Sequence, residues 1–267
     1  MYLRAAHAEH HLPTLRAFIR ANPLGIFTTA LASPTQAFPL LQSSHLPFLL
    51  DVLDDASETE LGTLRAHIAR ANPQSKAMIE AVTSSSPSAS TSPATTGGPR
   101  TLEQDVLILF NAPAHHYVTP KFYAATKPAT GKVVPTWDYA AVQVYGRARL
   151  YFDNADPATD AYLARQVAEL SRMAETRVMG YERPWEVSDA PAPYVEALKK
   201  AIVGVEVEVT SMAGKWKMSQ EMGEGDREGV VRGFEALGSE LGSEMARVVR
   251  EREELMVRRK AEGKEQA

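Results

Sequence analysis

Cysteine is absent from the 267 residues. That excludes disulfides, thiolate-bound zinc and a thiol nucleophile. Long apolar runs are missing as well, and no stretch approaches the roughly 20 residues that a membrane-spanning helix needs. The N-terminus carries His and Arg rather than a basic segment leading into an apolar one, so no secretory leader is expected. Neither sign of charge dominates: 29 Lys and Arg face 33 Asp and Glu, a formal net charge of −4. Such a chain has no general attraction to nucleic acid or anionic lipid. The familiar catalytic signatures are lacking too, including the Gly-x-Ser-x-Gly elbow, the phosphate loop, His-Glu-x-x-His and the dinucleotide fingerprint. Two histidine pairs, His10-His11 and His115-His116, are adjacent in sequence, and neighbours on a strand point to opposite faces. No metal is expected, and no residue is singled out as catalytic.

What is present is an ordinary globular composition, 44% hydrophobic and 23% charged, in a chain long enough to bury a sizeable core. A cytoplasmic protein is the default expectation, with the nucleus left open. Apolar periodicity predicts a helix over residues 9–21, stopped by Asn22-Pro23. Short strands follow at 24–31, after the Ser33-Pro34 turn at 38–42, and at 45–52. The internal Pro47 of the third cannot donate to a ladder, which points to an edge, a bulge or a close ligand. Residues 105–110 form the most apolar strand. Residues 140–152 alternate apolar Val142, Val144, Ala148 and Leu150 with polar or aromatic neighbours, as in an antiparallel sheet or barrel. Asp156-Pro157 caps a helix, residues 189–202 give another, and Val203, Val205, Val207 and Val209 mark a strand. From Asp226 a single apolar stripe runs through Val230, Phe234, Leu237, Leu241, Met245 and Val248. That tail needs a partner, its own sheet or a second subunit, and fraying is expected beyond Glu251.

The stretch from Gly62 to Gln74 stands apart. Leu64, Ala66 and Ile68 alternate with Arg65 and His67 as in a strand. Asn72 and Pro73 then form a preferred N-cap and first helical residue. Free backbone N–H groups, the helix dipole and the nearby Arg65, His67, Arg70 and Lys76 together suit a phosphate. The alternative is a turn whose basic residues are simply solvated. Trp137, Tyr139, Tyr117, Tyr123 and Trp216 sit beside prolines or lysines in connecting segments, where packing is the usual role of such rings. Residues 83–100 turn abruptly to Ser, Thr, Pro, Ala and Gly and are expected to be a disordered insertion.

Five motifs carry a resemblance. They are His45-Leu-Pro-Phe48, Leu64-Arg-Ala-His-Ile-Ala-Arg-Ala-Asn-Pro-Gln74, Val134-Pro-Thr-Trp137 with Tyr139, Val144-Tyr-Gly-Arg147 and Gly214-Lys-Trp-Lys-Met-Ser-Gln220. In this order they resemble the PaiB-type family of FMN-binding split-barrel proteins, over nearly the whole chain from Met1 to about Phe234. The resemblance implies an α+β, mainly β fold: a six-stranded antiparallel split barrel with flanking helices and a C-terminal helix. The domain would cover residues 1–234, with 235–267 a charged helical extension. The resemblance also implies a homodimer with FMN at the subunit interface. His45, Leu46, Pro47 and Phe48 would line the isoalloxazine. His67, Ala69, Arg70 and Asn72, with Lys76 in support, would surround the ribityl phosphate, and Lys215, Lys217 and Gln220 would approach from the partner subunit near Trp137. Asp138 stands where the family pattern has Asn, and a carboxylate there would disfavour a reduced flavin anion.

Three functions compete. The family label implies a regulator of transcription, although the acidic charge and the lack of a recognition helix argue against direct DNA binding. An FMN-dependent oxidoreductase acting on a small aromatic or conjugated substrate needs no side-chain triad, because the cofactor carries the chemistry. His45, Tyr139 and His67 are then the candidate proton donors. A haem-binding barrel is the third.

Overall fold

A computed structural model describes residues 1–33, 37–84 and 98–265. Pro34 of the anticipated turn and most of the Ser/Thr/Pro-rich insertion lie outside the described residues. The elements run β1 (Ala8–Glu9), α1 (Leu12–Ala21), β2 (Leu24–Ala30), β3 (Leu41–Pro47), β4 (Leu49–Asp51), β5 (Thr63–Ala69), α2 (Pro73–Ser84) and β6 (Arg100–Asn111). After these come β7 (His116–Val118), α3 (Thr126–Thr130), β8 (Thr136–Tyr151), α4 (Pro157–Met173), α5 (Ala192–Lys199), β9 (Ile202–Lys217), α6 (Glu224–Glu235) and α7 (Glu240–Glu265). They form two compact units. One comprises Met1–Phe18, Asn111–Val142 and Ala213–Ala267, and the other Ile19–Phe110 and Gln143–Met212.

The second unit is the barrel. Strand β2 pairs antiparallel with β3, from Leu24 opposite Pro47 to Ala30 opposite Leu41, and with β6 through Ile26 opposite Leu109. Strand β5 pairs antiparallel with β4 and β9. The strand order is β3-β2-β6-β8-β9-β5-β4. Its two ends, β3 and β4, are separated in sequence by Phe48 alone, so the sheet closes on itself through one bent strand. Counting that strand once, β2, β3–β4, β5, β6, β8 and β9 make the six-stranded antiparallel split barrel. The bend falls at Pro47, which has no N–H for a ladder. The Phe48 N–H turns instead to the Pro23 carbonyl at 2.8 Å. The strands anticipated at 38–42 and 45–52 are therefore parts of one bent strand.

Alternation along these strands builds the core. Phe27, Leu64, Ala66, Ile68, Val203, Val205 and Val207 are buried. Phe48 lies edge-on to Phe110, with ring centroids 5.8 Å apart. Helix α4, capped by the Asp156 side chain on Ala158 N–H, covers the outer side of β5 and β9. Its Tyr162 ring stacks on Tyr151 at 4.0 Å, and its hydroxyl donates to the Val205 carbonyl at 2.8 Å. Gly204 makes this approach possible, because a Cβ there would lie 2.4 Å from the Tyr162 ring.

In the first unit β1 pairs with the end of β9, and β7 with the start of β8. The anticipated single C-terminal helix is two helices. Gly238, at φ +64°, takes a left-handed conformation at the break. Val230, Phe234 and Met245 of the apolar stripe are buried, whereas Leu237 and Leu241, flanking the break, are exposed. The stripe finds its partner within this unit: Phe234 packs edge-on against Phe122 and His116. Helix α7 does not end at Glu251 either. The buried Glu9 carboxylate accepts from Arg252 at 3.1 Å and Arg259 at 2.9 Å, as well as from the His10 and His11 N–H groups. Against the cost of burial, these donors hold its pKa below the usual carboxylate range.

Gly204→Ala should cost about 1–3 kcal/mol, the usual range for overpacking. Urea unfolding followed by far-UV circular dichroism would measure it, and an unchanged midpoint would show that Tyr162 is not fixed against this strand.

Candidate cofactor site

The strand-to-helix turn forms as its sequence dictates. The Asn72 side chain accepts from the Gln74 N–H at 2.9 Å, and its amide donates to Ser44 Oγ on β3 at 3.0 Å. It thus caps α2 and ties it to the bent strand. Lys76 is exposed one turn into the helix, and Ala69 is exposed at the end of β5. Gln74 and Ser75 in the first turn are buried. Gln74 Nε2 donates to the carbonyls of Phe27 and Gln42 and to Thr29 Oγ1. Gln74 Oε1, Ser75 Oγ and His67 Nδ1 are buried with no hydrogen-bond partner among the described residues. A buried polar atom left unpaired costs about 1–3 kcal/mol. Of these three, Ser75 Oγ in the first turn of α2 and His67 Nδ1 on the preceding strand can donate, and with exposed Lys76 they fit an anionic ligand group, whereas Gln74 Oε1 can only accept. Burial lowers the His67 pKa, so its ring is neutral at pH 7 and can donate or accept but brings no charge.

The two arginines are placed otherwise than the sequence suggested. Arg65 is buried, bonding Asp51 through Nε at 2.5 Å and Nη2 at 3.0 Å, Gln166 at 3.0 Å, and Glu169. Burial opposes its charge, but the two carboxylates hold its pKa above the ordinary value. Its donors are directed under α4 and not to the turn, as the alternation that put it beside His67 could not reveal. Arg70 points its guanidinium at the carbonyls of Lys200 and Phe152 (3.1 and 2.7 Å) and at Asn154 Oδ1 (3.0 Å). It fixes the backbone of the turn.

Of the residues assigned to the isoalloxazine, His45 is exposed and Pro47 half-buried, while Leu46 and Phe48 are buried. His45 shares the outward face of the bent strand with Ser43, so a planar ligand on that face would meet His45 and the edge of Pro47. Leu46 and Phe48 shape the strand from inside. Ser44 and Ser75 were not singled out from the sequence. Ser44 becomes visible only once β3 is seen to run beside α2.

The remaining candidates belong to the first unit. Trp137 is 54% exposed, with His115 and Tyr117 rings 5.8 and 6.4 Å away. Trp137, His115 and Tyr139 border an open cleft of about 400 Å³. Lys215 is buried with its ammonium 5.3 Å from the Tyr139 ring centroid. Lys217 donates to the Trp137 carbonyl at 2.8 Å and to Thr136 Oγ1, 3.7 Å from the Asp138 carboxylate. Gln220 turns back on its own segment, accepting from Met218 N–H at 2.7 Å and donating to the Trp216 carbonyl. Trp216 is packed edge-on against Phe18 at 5.1 Å, with the Arg252 guanidinium over its ring at 3.9 Å. Asp138 is fully buried, accepting from Ser219 Oγ at 2.8 Å. Burial pushes its pKa up to about 7, against the hydrogen bond from Ser219 and the charge of Lys217. Among the described residues no three His, Asp or Glu side chains cluster as metal ligands. No described helix is long and apolar enough to cross a membrane.

The structure is a closed antiparallel split barrel, with an exposed lysine on the helix that starts beside its bent strand. The chain belongs to the FMN-binding split-barrel family of PaiB type: the family described as "Putative FMN-binding domain" matches residues 1–211, and FMN is its cofactor. An uncharacterized protein of Aspergillus fumigatus is 58% identical over 262 residues, 94% of this chain and 97% of its own. Protease synthase and sporulation protein PAI 2 of Bacillus subtilis is 26% identical over 155 residues, 57% of this chain and 67% of its own. Among solved structures, the flavocytochrome Anf3 of Azotobacter vinelandii aligns with a TM-score of 0.44 at 14% identity, covering 81% of this chain and 72% of its own.

Asp138 carries a pH prediction. Its folded pKa lies above the unfolded value of 3.8, so the neutral carboxyl is the form the fold favours. That contribution is fully present below about pH 4 and is lost as pH rises towards 7. Asp138→Asn should leave the melting temperature little changed at pH 4 and raise it at pH 8. Equal shifts at both pH values would contradict the assignment.

Proposed function

We propose that the protein is an FMN-dependent oxidoreductase acting on a small planar substrate, with the flavin phosphate anchored at the start of α2. The observation that carries the anchoring is the pair of buried donors left without a partner among the described residues, Ser75 Oγ in the first turn and His67 Nδ1 on the preceding strand, together with exposed Lys76. Asn72 holds the helix N-terminus in place, the Ser75 hydroxyl supplies a donor, and Arg70 braces the turn through the carbonyls behind it. Bound FMN supplies hydride and electron transfer, so the chain needs no nucleophile of its own. His45, exposed on the bent strand, and neutral His67 are the groups able to donate or accept a proton there. The exposed rings of Trp137, Tyr117 and His115 offer flat apolar surface for a conjugated substrate.

A homodimer is part of the proposal. The outward face of the barrel carries Leu24 and Leu41, 58% and 67% exposed, and half-buried Ile26, Leu107 and Leu109. Such a sheet face is suited to a second copy, and C₂ dimers are the commonest assembly. Light scattering at micromolar concentration should give twice the chain mass, and Leu109→Glu should give the monomer. A monomeric wild type would remove the partner-subunit role of Lys215, Lys217 and Gln220.

Regulation of transcription, which the family resemblance implies, is the second reading. It predicts salt-dependent DNA affinity of the purified protein. The redox reading predicts that NADH or NADPH bleaches the bound flavin without oxygen. Cofactor binding itself is tested by absorbance. Flavin bands should persist through gel filtration in the wild type, and Lys76→Glu should weaken FMN binding about tenfold or more, the loss of one charge-assisted contact. Haem bands in place of flavin bands would overturn the proposal.

A further inference from the structure

Away from the α2 turn, the barrel unit contains a cleft of about 450 Å³ that none of the functions above uses. That volume lies within the usual range for small-molecule sites. Pro23, Phe48, Leu50 and Met173 give it an apolar lining, and Arg20, Arg172 and Arg177 provide cations. Its carboxylates are already engaged. Asp51 and Glu169 are held by Arg65 and Arg165, and Asp55 pairs with Arg20 at 2.7 Å. Arg177 is exposed and makes no ion pair among the described residues. Arg172 pairs with exposed Glu186 at 2.9 Å and with no other carboxylate among the described residues. A solvent-exposed pair of that kind contributes roughly 0–1 kcal/mol, so a ligand can displace it at little cost.

The wall has an unusual backbone. Helix α4 passes directly into a π-helical segment, Ala174–Val178. π segments are rare and recur at functional sites. Arg172, Met173, Thr176 and Arg177 all line the cleft, and this switch in helical pitch carries them. Two adjacent residues and the next two a turn later thus alternate cation, thioether, hydroxyl and cation along one wall.

We propose that this cleft binds a small carboxylate or sulfonate with an apolar body, the anionic group held by Arg177 and Arg172 and the body against Phe48, Leu50 and Met173. A neutral molecule of the same shape would gain the apolar contacts but not the guanidinium pair. A cationic one would meet unpaired Arg177.

The test uses two fluorescent probes on the full-length protein: 8-anilinonaphthalene-1-sulfonate, and N-phenyl-1-naphthylamine, which has the same ring system without the sulfonate. The sulfonate should bind saturably and more tightly than the neutral probe. Arg177→Glu, at an exposed position, should keep the wild-type melting temperature and weaken sulfonate binding about tenfold or more. Its effect on the neutral probe should be less than twofold. Met173→Trp, which fills the cleft, should weaken both. Sulfonate affinity unchanged by Arg177→Glu overturns the proposal, as does equal affinity for the two probes. FMN that displaces the sulfonate competitively would make this cleft part of the flavin site and also overturn it. Failure of FMN to bind at all leaves the cleft's own result standing, because its probes do not depend on flavin.

Discussion

The barrel depends on a hydrogen bond that Pro47 cannot make. A strand leaving β2 must find a new partner once its ladder is interrupted, and here it bends at Phe48 and joins β5. The bend converts an open sheet of antiparallel strands into a closed one and removes its two edges, which would otherwise invite association. It also brings β3 beside the start of α2, where Asn72 bonds Ser44. One proline thus sets both the closure of the fold and the position of the helix terminus proposed to anchor the FMN phosphate.

Charge is distributed in keeping with this division. The arginine buried deepest, Arg65, is neutralised by two carboxylates and fixes α4 to β5. Leaving it unpaired there would cost several kcal/mol. Arg70 supports backbone carbonyls, and Lys76 keeps its charge at the surface. The cations nearest one another in sequence therefore have three different tasks, and a ligand's phosphate would meet the helix start and one lysine.

Much of this was legible in the chain. Alternation identified β5, β8 and β9, and Asn72-Pro73 placed the start of α2, because capping and pleating are local rules. The bend at Pro47 was marked as an irregularity, but its consequence needed the strand order. What escaped was set by tertiary partners. Arg65 is read as a site residue from its neighbours His67 and Arg70, yet Glu169, a hundred residues on, decides where its guanidinium points. Gln220 looked available and is turned inward by its own loop. The helical tail read as one stripe because Gly238 is a weak stop signal within a continuous period. The fixing of α7 by Glu9 joins the two ends of the sequence, which no local pattern announces.

Anchoring through phosphate is the claim on which the cofactor assignment stands. Titration calorimetry of the apoprotein with FMN and with riboflavin, which differs only in lacking the phosphate, tests it most directly. FMN should bind at least a hundredfold more tightly, corresponding to about 2.7 kcal/mol or more. Equal affinities would show that the α2 start does not hold the phosphate, and the account of the site would fail.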